Sequence, residues 1–190
     1  MPRLFAGIEL PDDVRDELRR LKAPIPGARW IDAGNLHLTL RFVGDLDPVR
    51  ASEFAAALSE INASAFSLTI AGTGTLGGNT PAILYAGVAK CPELEALQRA
   101  TEKAARRAGL PPETRSFKPH ITLARLNHAR DDALARYLER HARFSAGAMF
   151  VSQFVLFSSR PNVGGGPYAV EEAFHLIGGI GDSAGLDGDW

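Results

Sequence analysis

Asn35-Leu36-His37-Leu38-Thr39-Leu40-Arg41-Phe42-Val43 is the stretch on which the reading of this chain turns. Apolar residues alternate with His37, Thr39 and Arg41, the period of two that marks a strand with one buried face. On this parity Leu36, Leu38, Leu40 and Phe42 belong to the core side, and His37, Thr39 and Arg41 to the open side. The pattern returns 83 residues later as His120-Ile121-Thr122-Leu123, inside a second strand predicted over residues 118–125. Each copy sets one imidazole and one hydroxyl side by side on a rigid element, where a precise site is best built.

Working outward, residues 3–9 read as a short buried strand closed by Pro11, and Pro11-Asp12-Asp13 opens a helix with proline and acids where a helix start favours them. Residues 30–32 read as a short strand, and Asp47-Pro48 starts a second helix that runs to about residue 62. Residues 66–70 and 82–88 are strands on either side of a glycine-rich loop over 72–81. The best helix spans 91–108, with Leu94, Leu97, Ala104 and Ala105 inside; Gly109 and Pro111 end it. A helix follows over 131–141, then one long strand within 144–158 and a last strand over 168–177. Strands and helices intermingle without strict alternation, and several strands are hairpin neighbours. The fold class is therefore α+β with a largely antiparallel sheet. Residues 1–177 form one domain, and the glycine-rich, acidic residues 178–190 form a flexible tail.

The 190 residues are 45% apolar and carry 21 Lys and Arg against 22 Asp and Glu, a net charge of −1. A near-neutral chain is no blanket coat for nucleic acid, because sequence-independent phosphate binding needs an excess of cations. A local pocket for one or two phosphates is compatible with it. The one cysteine, Cys91, excludes an internal disulfide and a Cys-rich zinc site. No apolar run reaches the ~18 residues of a membrane span, so no membrane contact is expected. The first apolar stretch is broken by Glu9 and Pro11, too early for a secretory leader, and the expected location is the cytoplasm.

Gly72-Thr73-Gly74-Thr75-Leu76-Gly77 matches the glycine pattern of dinucleotide-binding folds. That chemistry needs a helix to open at the glycines, so that its first amides face the pyrophosphate. Here Gly78-Asn79-Thr80-Pro81 and a strand follow, so the glycines read as a hairpin loop.

Two imidazoles and two hydroxyls around one cleft suit phosphodiester chemistry without a metal. A neutral histidine takes a proton from the attacking oxygen, and a protonated one returns a proton to the leaving oxygen. The hydroxyls of Thr39 and Thr122 donate to the non-bridging phosphate oxygens. A metal site is not indicated, since His-x-His spacing and a carboxylate cluster are absent from both copies. Arg125, near the end of the second strand, and Arg41, two residues past Thr39, are candidate phosphate ligands, because guanidinium matches phosphate oxygens. Phe5, Tyr85 and Phe42 are candidates for stacking on a base, although parity places Phe42 in the core. His128, His141 and His175 read as capping, surface or packing residues.

At these residues the sequence resembles the two-histidine (2H) phosphoesterase superfamily, and within it the RNA 2′,3′-cyclic phosphodiesterases once named 2′-5′ RNA ligases. Three segments carry the resemblance: Arg3 to Pro11, Asn35 to Gly44 and Phe117 to Arg125. It implies a bilobal α+β fold in which two related lobes each supply a motif strand to a central cleft. It further implies hydrolysis of 2′,3′-cyclic phosphate ends of RNA or oligonucleotides, leaving a 2′-phosphate. His37 would be the proton donor, His120 the proton acceptor, and Thr39 and Thr122 the phosphate-holding residues. No metal or organic cofactor and a monomeric state are expected. The motifs do not separate this activity from ligation, RNA trimming or small-nucleotide hydrolysis. A non-catalytic nucleotide- or RNA-binding module is the reading of a different class, disfavoured because binding alone is better served by Arg or Lys.

Overall fold

The computed structural model describes residues 3–78, 80–159 and 167–178. Within them nine strands and four helices alternate irregularly along the chain. They are β1 (Arg3–Glu9), α1 (Asp12–Arg19), β2 (Ala28–Trp30), β3 (His37–Asp45), α2 (Pro48–Ser59), β4 (Phe66–Leu76), β5 (Ile83–Val88), α3 (Pro92–Arg107), β6 (His120–Leu126), α4 (Asp131–Arg140), β7 (Ser145–Val151), β8 (Gln153–Ser159) and β9 (Tyr168–His175). All nine strands join one open sheet in the order β7-β4-β5-β6-β3-β1-β8-β9, with β2 also on β6. Every ladder between them is antiparallel, as the α+β reading anticipates.

Helix α2 starts where the sequence provides a cap. The Asp47 carboxylate accepts the Arg50 backbone N–H at 3.0 Å, and Pro48 occupies the first turn of α2. In α3 a first turn with Glu93 and Glu95 and a last turn with Arg106 and Arg107 complement the helix dipole. Its inner stripe, Leu94, Leu97, Thr101, Ala104 and Ala105, is buried in the main core against Leu38, Leu40, Leu84 and Ile121.

The sheet is two lobes of four strands each, with β2 added to the first along β6. β7-β4-β5-β6 and β3-β1-β8-β9 meet between β6 and β3, where one residue pair, Leu38 with Ile121, is in register. Both residues are fully buried. Beyond this pair the two strands part, and the parting opens the cleft.

Three sequence expectations change. The long strand expected over 144–158 is two strands broken at Ser152. β7 pairs with β4 at one edge of the sheet and β8 with β1 in the other lobe, so one residue carries the chain between lobes. The first half of the expected glycine loop is strand: β4 runs to Leu76, and Gly74 lies opposite Tyr85. A Cβ at Gly74 would stand 2.5 Å from the Tyr85 hydroxyl, so the glycine makes room for that ring. The strand expected at 30–32 lies at Ala28–Trp30. The 178–190 tail lies, past Gly178, outside the described residues.

Candidate active site

His37 and His120 each begin a strand, and each strand carries the same sequence of environments. From His37 to Phe42, and from His120 to Arg125, the residues are half-buried, buried, half-buried, buried, buried and exposed. The repeat of two buried residues before the exposed one is a bulge in both strands. In β3 the ladder to β1 steps from Gly7–Thr39 to Ala6–Arg41 and skips Leu40. In β6 the ladder to β5 steps from Tyr85–Thr122 to Leu84–Ala124 and skips Leu123. An inserted residue shifts all that follows it to the other parity.

The meeting of Leu38 and Ile121 brings the two triplets together. In an antiparallel pair, one step either way sets His37 toward Thr122 and Thr39 toward His120. All four lie on the face opposite the buried Leu38 and Ile121. The imidazoles are held alike. His37 Nδ1 lies 2.8 Å from the Asn35 carbonyl oxygen, and His120 Nδ1 lies 2.6 Å from that of Lys118. A carbonyl can only accept, so Nδ1 carries the hydrogen in both rings and Nε2 is left to exchange protons. Among the described residues neither threonine hydroxyl is hydrogen-bonded.

The surroundings of the rings differ. His37 is caged by Phe5, Tyr168 and Phe157, with ring centroids 4.7, 5.0 and 5.5 Å away. Phe157 approaches this closely because Gly7 lies beneath it: a Cβ there would be 3.3 Å from the Phe157 ring and 2.7 Å from the Leu38 carbonyl oxygen. Burial in this cage lowers the His37 pKa below the ordinary 6.5; the Asn35 carbonyl opposes the shift, and the charge of His120 adds to it. Asn35 also accepts the Tyr168 backbone N–H on its side-chain oxygen, at 3.2 Å, so one residue fixes both the imidazole and a wall of its cage. Among the described residues His120 has a single aromatic neighbour, Tyr85, at 5.6 Å.

The bulges correct two expectations. Arg41 does not face the cleft. It is 8% exposed on the helix side, with Nε 2.6 Å from Glu102 Oε2 and Nη2 donating to the Pro111 carbonyl at 2.5 Å. The Glu102 contact is an ion pair rather than an aligned hydrogen bond. Phe42, assigned by parity to the core, is 47% exposed and sits directly across from Phe5 on the cleft face. Phe5 is buried against Phe157 and is unavailable to a base. Arg125 is exposed on the cleft face and makes no ion pair among the described residues. The cage residues Phe157 and Tyr168 and the two carbonyl acceptors were not visible as site residues in the sequence; the doubled X-x-His step, with Asn35 and Lys118 two residues before each imidazole, was the available signal.

Of the other histidines, His141 follows α4 and packs on Tyr137 at 4.4 Å, while His128 and His175 are exposed. Among the described residues no three His, Cys, Asp or Glu side chains gather as a metal site, and no helix is long and apolar enough to cross a membrane.

A cleft lined by a doubled His-x-Thr pair, between two lobes of one antiparallel sheet, defines a two-histidine phosphoesterase. The chain belongs to the LigT-like phosphoesterases, whose family model matches residues 8–85 and 87–168. It is 31% identical over 128 residues to an RNA 2′,3′-cyclic phosphodiesterase of Geobacillus stearothermophilus, a match covering 64% of this chain and 41% of that protein. An RNA 2′,3′-cyclic phosphodiesterase of Aquifex aeolicus is 26% identical over 184 residues, 93% of this chain and 98% of the relative. The crystal structure of a Thermus thermophilus protein superposes with a TM-score of 0.77 at 26% identity, covering 92% of this chain and 97% of the other.

Proposed function

We propose that this protein hydrolyses 2′,3′-cyclic phosphate ends of RNA to 2′-phosphomonoesters, with His37 and His120 as a metal-independent acid–base pair. The observation that carries the reading is the junction of β3 and β6. Two imidazoles with the same fixed tautomer, and two unbonded threonine hydroxyls, share one face around the Leu38–Ile121 pair. Similarity to relatives named RNA 2′,3′-cyclic phosphodiesterases supports the substrate class.

In this mechanism His120 Nε2 takes a proton from water as the water oxygen bonds to phosphorus. The bond from phosphorus to the ribose 3′ oxygen breaks, and the proton on His37 Nε2 passes to that oxygen. The hydroxyls of Thr39 and Thr122 and the Arg125 guanidinium hold the non-bridging oxygens. The depressed pKa of His37 makes it a strong acid once protonated, and the bound phosphate anion restores its proton by favouring the charged ring. Phe42 offers its open face to the base. All these groups come from one chain, in keeping with a monomer as the working unit. The cytoplasm is the proposed location.

The test is incubation with 2′,3′-cyclic AMP in excess EDTA, with products resolved as 2′- or 3′-monophosphate. The 2′ product at undiminished rate is expected. No turnover, or turnover restored only by a divalent ion, overturns the reading.

A further inference from the structure

The cleft face of β6 does not end at Arg125. β2 lies along the same edge of β6 as β3, but further on, with Arg29 paired directly to Arg125. Partners in an antiparallel ladder point to the same face, and the flanking residues fix which face that is. Ala28 and Trp30 pack against the main core, with the Trp30 indole N–H donating to the Ala23 carbonyl at 3.0 Å and its ring 6.0 Å from Tyr137. Arg29, between them, is turned the other way and is exposed, as Arg125 is. The two guanidinium stems therefore rise side by side, with Cα atoms about 5 Å apart.

Such a pair of guanidiniums on one face matches the oxygens of an anion such as phosphate. Its position along the cleft says which anion. His120, Thr122 and Arg125 follow one another along the cleft face of β6, and the reacting phosphate belongs between the imidazoles, at the start of that row. At about 3.3 Å per residue, Arg125 lies within roughly 10 Å of Thr122 along the strand, and Arg29 lies one strand to the side. The opposite lobe presents carbon at the matching place, Phe42. One end of the cleft thus carries paired cations beyond the catalytic groups, and the lobe across from them carries an aromatic face.

We infer that Arg29 with Arg125 forms a second phosphate subsite, which binds the phosphodiester next to the reacting one and makes the enzyme prefer a polynucleotide end over a cyclic mononucleotide. This rests on the phosphodiesterase reading for the identity of the first phosphate. Positively charged grooves track a single-stranded backbone in this way, with aromatic faces taking the bases. Arg125 serves both phosphates, whereas Arg29 touches only the second.

The experiment reads binding as well as turnover, so that the two readings fail separately. Affinities are measured for 2′-AMP and for a short oligoribonucleotide ending in a 2′-phosphate, using wild type, Arg29→Gln and Arg29→Lys over a range of salt. Arg29→Gln is expected to weaken the oligonucleotide about 10-fold, to reduce its salt slope by about one, and to leave 2′-AMP unchanged; Arg29→Lys restores most of the loss. Unchanged oligonucleotide affinity in Arg29→Gln, or an equal loss for both ligands, overturns the inference. Turnover of the cyclic oligonucleotide by wild type is scored apart: its absence defeats the phosphodiesterase reading, while the binding comparison still decides the subsite.

Discussion

β3 and β6 are two versions of one device. Each presents His, Thr and a bulge, and each imidazole is tied by Nδ1 to the carbonyl two residues upstream. They part company at the fifth and sixth positions. β3 continues with Arg41, buried in the helix layer, and Phe42, open on the cleft; β6 continues with Ala124, buried, and Arg125, open. They differ also around the rings, with three aromatic side chains about His37 and one beside His120. The shared part sets the geometry that holds a phosphate between two imidazoles. The divergent part sets what each half does with it: a dry, acidified imidazole beside an aromatic platform on one side, and a wetter imidazole beside cations on the other.

The shared part breaks most severely. His37→Ala and His120→Ala are each expected to lower kcat/KM by about 10²–10⁴-fold, and the double variant by much less than the product, because both serve one transition state. Steady-state kinetics on 2′,3′-cyclic AMP checks this.

The two arginines sharpen the divergent part, since the sequence offers both for the same task. Arg125→Ala is expected to cost roughly 10–100-fold in kcat/KM with little change in Tm, as a charge-assisted bond to phosphate is lost. Arg41→Ala should do the reverse, lowering stability by about 2–3 kcal/mol. That is less than for a fully buried pair, since the Glu102 partner keeps some contact with water. Urea denaturation of both variants beside their kinetics separates the roles.

The threonines return to the shared part with a smaller effect. Thr39→Val and Thr122→Val are each expected to lose about 10-fold in kcat/KM, the worth of one hydrogen bond to a charged oxygen. Near-equal losses from the two sites are the mark of the doubled device.

The cage makes the smallest difference and the most specific one. With His37 as the acid, kcat/KM falls as pH rises through its pKa, and burial places that limb below the ordinary 6.5. Phe157→Leu opens the cage and should move the limb upward. The same shift acts on folding. A pKa lower in the folded than in the unfolded chain means that the unfolded state binds more protons below pH 6.5, so stability falls as pH drops through that window. His37→Gln should remove that part of the slope, as pH-dependent denaturation would show.

Much of the shared part was legible in the sequence, because a period of two and an echoed triplet are local signals. The strands that carry the site lie within two residues of where the alternation puts them, and the sheet is antiparallel as the intermingled elements imply. The bulges were not legible from the Leu36-Leu38-Leu40 alternation, since an inserted residue leaves such a pattern intact until it has passed. A hint was present in the comparison of the copies. Arg125 stands three residues past Thr122, an odd step that a regular strand turns toward the core. The same step from Thr39 reaches Phe42, not Arg41. The cage was hidden for another reason. Phe157 and Tyr168 are ordinary strand residues until β8 is laid beside β1, and the break at Ser152 that sends β8 there lies inside what reads as one continuous apolar strand.

The division of labour between the two imidazoles is tested most directly by changing the leaving group. A phosphodiester with a nitrophenolate leaving oxygen needs no proton from an acid, but its hydrolysis still needs a base for water. The measurement is the ratio of variant to wild-type kcat/KM on this substrate against the same ratio on 2′,3′-cyclic AMP. The account predicts that His37→Ala recovers most of its activity on the nitrophenyl ester and that His120→Ala does not. Recovery by His120→Ala instead, or equal failure of both variants, would contradict it.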